Sequence, residues 1–301
     1  MTTNQTANLG RHPVGRMGFG AMQLAGPGVF GLPRDPDAAR SVLRRAIELG
    51  VDHIDTSQYY GPDVVNELIR EALAPYPAGL RIVSKVGARR DDAGAWLPGQ
   101  RPEELRAGVE ANLATLGIES LAAVNLRLLD HGDAPPVALA EQLGTMEDLR
   151  REGKIEAIGI SNADRATVEE ALELVDLVCV QNAFSIVQRE SQDVLDLCAE
   201  RDIAFVPFFP LGSAFTGGPA AIAADPEVAS VAERHDVTTS QVALAWLLHH
   251  DPHILLIPGT SSVAHLEENM GAAAVSLDDE DMAALEGVRQ AGDPHQVSHD
   301  S

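Results

Sequence analysis

The chain has 301 residues, with 45 acidic against 22 basic side chains and a formal net charge of −23 at pH 7. That sign opposes binding to nucleic acid or to an anionic membrane, and no apolar run is long enough to span a bilayer. Cys179 and Cys198 are too few for a disulfide framework, and the N-terminus has no basic region leading into an apolar core, so a cytoplasmic protein without a metal site is expected.

In chain order, short apolar runs predict strands over 17–20, 52–55, 81–85, 124–128, 156–160, 178–181, 204–208 and 254–257. Amphipathic stretches between them predict helices over 36–49, 62–74, 101–116, 135–152, 164–174, 190–201, 238–250 and 263–271, with a last helix over 278–289. Eight strands with helical crossovers imply a parallel sheet, either closed into a barrel or doubly wound. Residues 1–301 are expected to form one domain, with a polar tail at 292–301 expected to be mobile. Three connections are long, at 25–35, 87–101 and 209–226, and all leave the C-terminal ends of predicted strands.

One stretch stands out chemically: His53-Ile54-Asp55-Thr56-Ser57-Gln58-Tyr59-Tyr60-Gly61-Pro62. A strand ends in Asp55, Tyr60 precedes a Gly-Pro turn, and the next strand ends in Lys85. Singly, these are an ordinary turn aspartate, a packing tyrosine and a surface lysine. Together they make a site that hands a proton to a carbonyl oxygen. On this reading the lysine cation lowers the tyrosine pKa and the aspartate holds the lysine. Tyr60 is assigned as the acid and Tyr59 as wall or packing.

Further segments follow in order. They are Gly18-Phe19-Gly20-Ala21-Met22, Asn66-Glu67, Gly159-Ile160-Ser161-Asn162, Val180-Gln181-Asn182, Pro207-Phe208-Phe209-Pro210-Leu211-Gly212, and Ile257-Pro258-Gly259-Thr260-Ser261-Ser262 with Glu268-Asn269. In this order, with Asp55, Tyr60 and Lys85, they resemble the aldo-keto reductase family nearly end to end. The stretches 20–31, 124–127, 206–212 and 255–266 resemble its bacterial pyridoxal reductases in particular. The resemblance implies a single (β/α)8 TIM barrel with its active site at the C-terminal ends of the strands.

It also implies an NADP(H) cofactor, since no protein side chain donates hydride. By resemblance, Gly20, Ala21 and Met22 border the cofactor, and Ser161, Asn162 and Gln181 hold its carboxamide. Phe208 stacks on the nicotinamide, with Phe209 and Pro210 beside it, and Leu211 and Gly212 lie along the pyrophosphate. Pro258, Gly259, Thr260, Ser261 and Ser262 lead into a helix N-terminus, a setting that suits a 2′-phosphate. His265 stands where many members carry an arginine, and Glu268 with Asn269 matches the adenine contacts.

The family's histidine at the end of strand four is replaced here by Arg127. Arginine does not donate its proton near neutral pH, but it offers fixed N–H groups and a charge to a developing alkoxide, and it would lower the Tyr60 pKa. A structural salt bridge at Arg127, or His131 acting for the missing histidine, are the alternatives. Phe30, Tyr59, Trp96 and His131 are the candidate substrate contacts. The expected activity is NADPH-dependent reduction of pyridoxal. Reduction of other aldehydes or ketones, or a nucleotide-binding regulatory role with weak turnover, are the competing readings.

Overall fold

The computed structural model describes residues 6–129, 136–213 and 217–288; the predicted tail at 292–301 lies outside them. The chain opens with an antiparallel hairpin, β1 (Thr6–Leu9) and β2 (His12–Gly15), turned at Gly10 with φ +58°. Sequence reading found no strand here, because the pair alternates weakly and carries Pro13. Then come β3 (Phe19–Gly20), β4 (His53–Asp55), β5 (Arg81–Arg90), β6 (Trp96–Gly99), β7 (Ala123–Arg127), β8 (Ile158–Ser161), β9 (Leu177–Gln181) and β10 (Ala204–Phe205). All but β6 pair in parallel, in the order β3-β4-β5-β7-β8-β9-β10.

The eighth predicted strand, 254–257, forms only single parallel bridges, Ile254 to Phe205 and Leu256 to Met17. Its N–H groups still close the ring. Leu255 N donates to Phe205 O at 2.9 Å, Leu256 N to Arg16 O at 2.8 Å, and Gly18 N to Leu256 O at 2.8 Å. Pro258, which has no N–H, follows at once. The result is a closed α/β barrel of the TIM type.

Around it lie α1 (Pro36–Glu48), α2 (Val64–Leu73), α3 (Pro102–Leu116), α4 (Leu139–Arg151), α5 (Arg165–Leu174), α6 (Gln192–Glu200), α7 (Gly218–Ala224), α8 (Pro226–His235), α9 (Thr239–His250), α10 (Val263–Gly271) and α11 (Asp279–Glu286). Their starts follow from local chemistry. Asp35, Asp164, Asp225 and Asp278 accept backbone N–H bonds at helix N-termini, and Thr238 with Gln241 makes a capping box. Each such cap contributes about 1 kcal/mol, so part of the acid excess serves helix starts. Helix α7 falls inside the loop predicted at 209–226, and α8 follows it through a stretch where no element was predicted, because the short alanine-rich start shows no wide apolar stripe.

Two apolar layers result. Val83, Ala123, Cys179, Ala204, Val206, Leu255 and Ile257 fill the barrel, and Leu9 and Val14 of the first hairpin plug one end of it. Ile54, Val124, Leu126 and Ile160 pack with the buried stripes of the helices. Burying a side chain of this size contributes about 1.5–3 kcal/mol.

Candidate active site

Strands end side by side at the open mouth, and their last residues carry the polar chemistry. Asp55 ends β4, Arg127 ends β7, Ser161 ends β8 and Gln181 ends β9. Lys85 lies inside β5, which runs on to Arg90 instead of stopping at 85 as predicted. The extension pairs antiparallel with β6, so part of the predicted loop 87–101 is a hairpin. Its residues Gly87-Ala88-Arg89-Arg90 lack an apolar signature. Gly87 (φ +100°) turns the strand here; a Cβ on it would lie 2.3 Å from Arg127 O.

Lys85 and Asp55 form a buried ion pair. Lys85 Nζ donates also to Thr56 O at 3.2 Å, and the second carboxylate oxygen accepts from Gln181 Nε2 at 3.0 Å. A buried pair of this kind is weak evidence for stability. Removing one partner strands a charge and costs about 3–5 kcal/mol, so the pair is a rigid fixture. Tyr60 is buried beside it, with Lys85 Nζ 5.2 Å from the ring centroid.

Burial pushes the Tyr60 phenol well above its ordinary range, the Asp55 carboxylate pushes it further, and Arg127 opposes them. Tyr59 is pushed up chiefly by burial as well. The lysine charge is matched by Asp55 at contact distance, and Arg127 is a second cation that opposes the upward push on Tyr60. Tyr59 packs edge-on against Tyr60 at 5.5 Å between centroids and against Trp96 at 5.4 Å.

Arg127 sits with its guanidinium carbon 5.3 Å from the Phe208 ring centroid. Its Nε is buried without a hydrogen-bond partner. No ion pair to Arg127 occurs among the described residues. His131 lies outside the described residues.

Ser161 Oγ and Gln181 Oε1 are also buried without partners. Two orphaned groups on adjacent strand ends suit a ligand amide, which has both a donor and an acceptor. Asn162 is exposed in the left-handed region (φ 64°), and its Nδ2 donates to Leu128 O at 2.8 Å. After β10, Phe208 N donates to Asn182 O at 2.9 Å, and Phe209 (φ 57°) turns the chain so that Gly212 N reaches its carbonyl at 2.8 Å. Pro210 is buried there, and Leu211 is half-buried.

Across the mouth, Gly20 and Gly259 meet at the seam of the ring. A Cβ on Gly20 would lie 2.4 Å from Ile257 O, and one on Gly259 2.5 Å from Gly20 O. These glycines thus have a packing reason of their own. Ala21 is buried and Met22 half-buried beside them, and Pro258 is buried. Thr260 Oγ1 accepts from Ser262 N at 3.1 Å, and Ser262 Oγ accepts from His265 N at 3.4 Å. Those two hydroxyls build the start of α10, while Ser261 and His265 are exposed on it. Glu268 accepts from Thr238 Oγ1 at 2.7 Å, and Asn269 is buried.

Two residues escaped sequence reading. Asn125, one strand over from Lys85, leaves Nδ2 buried and unpartnered, and its Oδ1 accepts from Cys179 Sγ at 3.3 Å. Arg90 joins two mouth loops 61 residues apart in sequence. The first hid in an apolar run and the second in a polar loop.

The family model described as "Aldo/keto reductase family" matches residues 16–290. The chain is 47% identical over 289 residues to a pyridoxine 4-dehydrogenase of Escherichia coli, covering 95% of this chain and 99% of the relative. It is similar to the solved structure of a thermostable aldo-keto reductase in complex with the inhibitor epalrestat, with a TM-score of 0.78, 27% identity, and 93% of this chain and 98% of that one covered. An aldo/keto reductase from Klebsiella pneumoniae, solved with NADP and acetate, aligns with a TM-score of 0.78 at 23% identity over 96% of this chain and 99% of its own. At that identity the likeness concerns the fold.

Proposed function

This chain belongs to the aldo/keto reductase family, and we propose that it is an NADP(H)-dependent reductase whose substrate is pyridoxal, converted to pyridoxine. The observation that carries the reading is the buried Asp55–Lys85 pair beside Tyr60, next to the orphaned Ser161 Oγ and Gln181 Oε1. The 47% identity to a pyridoxine 4-dehydrogenase supports the choice of substrate.

A nicotinamide dinucleotide, when bound, would supply the hydride for the carbonyl carbon. Ser161, Asn162 and Gln181 would hold its carboxamide, Phe208 its ring, and the exposed Ser261 and His265 at the start of α10 its 2′-phosphate. Tyr60 gives its phenolic proton to the carbonyl oxygen and is reprotonated from solvent. Its raised pKa keeps that proton in place until charge develops on the oxygen. Lys85 and Asp55 hold the phenol's surroundings rigid. Arg127 offers its free Nε–H and its charge to the same oxygen.

The test is NADPH oxidation followed with pyridoxal and, separately, with propanal. Turnover of pyridoxal well above that of propanal supports the reading. Preference for propanal overturns the substrate, and no turnover with any carbonyl compound overturns the reductase.

A further inference from the structure

Between the loop after β3 and the hairpin of β5 and β6 lies a cluster that the proton-transfer chemistry does not use. Arg90, near the hairpin turn, is its centre. Its Nη1 donates to Val29 O at 3.0 Å, its Nη2 to Gly28 O at 2.9 Å and to Gly94 O at 2.7 Å, and its Nε to Gly94 O at 3.0 Å. The guanidinium carbon lies 4.1 Å from the Trp96 ring centroid and 5.4 Å from that of Phe30. A planar fork does this work where an ammonium would not, because it spans carbonyls on two segments while stacking on a ring.

The loop is held from its other side by the catalytic segment. Gly31 N donates to Gly61 O and Gly61 N to Val29 O, both at 3.2 Å, and Gly61 directly follows Tyr60. Trp96 in turn meets Tyr59, and Tyr59 meets Tyr60. The hairpin, the loop and the proton donor are thus one connected body. The Trp96 indole is 42% exposed, an unusual state for so large an apolar ring. Nearly all of Arg90's N–H donors are given to backbone carbonyls, so its charge is not spare for an anionic ligand.

We propose that Arg90 is a positioning residue that fastens Phe30 and Trp96 into one aromatic wall beside Tyr60, and that this wall selects carbonyl groups carried on a flat aromatic ring. The inference rests on the reductase reading above. A flat ring gains by stacking on a fixed aromatic surface, and it arrives with fewer internal rotations to lose than an alkyl chain.

The experiment compares Arg90→Ala, Arg90→Lys and Trp96→Ala with the parent, using benzaldehyde and propanal. Thermal melts confirm that each variant is folded. In Arg90→Ala, kcat/KM for benzaldehyde falls about tenfold, mostly through KM, while that for propanal changes less than about twofold. Arg90→Lys keeps the charge but not the fork and loses the same selectivity. Acrylamide quenching gives a separate readout: Trp246 is fully buried, so the quenchable tryptophan is Trp96, and quenching rises in both Arg90 variants. Equal losses for both aldehydes, or unchanged selectivity and quenching, overturn the proposal. If the parent reduces neither aldehyde nor pyridoxal, the reductase reading fails. The wall is then judged by pyridoxine binding, and equal affinity in parent and Arg90→Ala overturns it.

Discussion

Arg16 and Arg127 stand at opposite ends of the same barrel and are treated in opposite ways. Arg16 is buried at the plugged end, where Nε donates to Ile254 O at 3.0 Å, Nη1 to Leu248 O at 2.9 Å and Nη2 to Asp251 O at 2.5 Å. Arg127, at the mouth, keeps a buried Nε with no partner. Around Arg16 the hairpin seals the barrel with Leu9 and Val14, and Gly15 N donates to Asp52. Around Arg127, Ser161, Gln181 and Asn125 also have unpartnered atoms. An unmet buried hydrogen bond costs about 1–3 kcal/mol. Four such residues gather at the mouth, whereas at the plugged end His53 Nε2 is unpartnered but Arg16 is held by three backbone carbonyls; the mouth is the end that does chemistry and the plugged end the one that holds the fold.

The contrast is tested most strongly at the mouth. Tyr60→Phe deletes the proton donor and should lower kcat by about 10²–10⁴-fold while NADPH still binds. Fluorescence titration of NADPH beside steady-state kinetics checks this, and near-normal turnover would move the donor role to Tyr59 or a water.

Arg127→Leu should lower kcat by about 10²–10³-fold, the scale of one lost oxyanion donor. Arg127 opposes the upward push of burial and Asp55 on Tyr60. Removing it therefore raises the Tyr60 pKa further, and the basic limb of the pH–rate profile moves to higher pH. Arg127→Lys should keep part of the activity. A profile and a kcat unchanged in Arg127→Leu would leave this arginine with no role in the reaction.

At the plugged end the pattern should invert. Leu9→Ala removes a buried side chain and should cost about 2 kcal/mol of stability, near the lower end for core truncations because the hairpin is able to settle. Urea unfolding reads that loss, and kcat at a temperature where the variant is folded should match the parent. A large drop in kcat would join the two ends that the structure keeps apart.

The smallest effect is expected at α10. Replacing Ser261 and His265 by alanine should reduce a preference for NADPH over NADH by about tenfold, comparable to one charge-assisted contact. Equal kcat/KM for the two cofactors in the parent would remove the 2′-phosphate from this site.

Much of this was readable along the chain. The apolar runs ending in Asp55, Ser161 and Gln181 located strands and site residues together, because a strand that enters a barrel is apolar until its mouth. The helix positions around the barrel followed from periodicity and from caps such as Asp35 and Asp278. The first hairpin and the β5 extension were not readable, since their partners are supplied by distant or polar segments. How closely Asp55 matches the Lys85 charge was not readable, because spacing along the chain carries no distances.

Sequence alone determined the βα order, the residue types at the strand ends and, by resemblance, the barrel and its family. Tertiary structure decided which charges cancel and which remain. Lys85 lies against Asp55 and is matched by it, whereas Arg127 meets no carboxylate among the described residues and is left to act on Tyr60. It decided also that Arg90 joins Gly28 and Val29 to Gly94 across 61 residues of chain. Coulombic and hydrogen-bond energies depend on separation in space, and separation in space is settled only when the strands have closed into a ring.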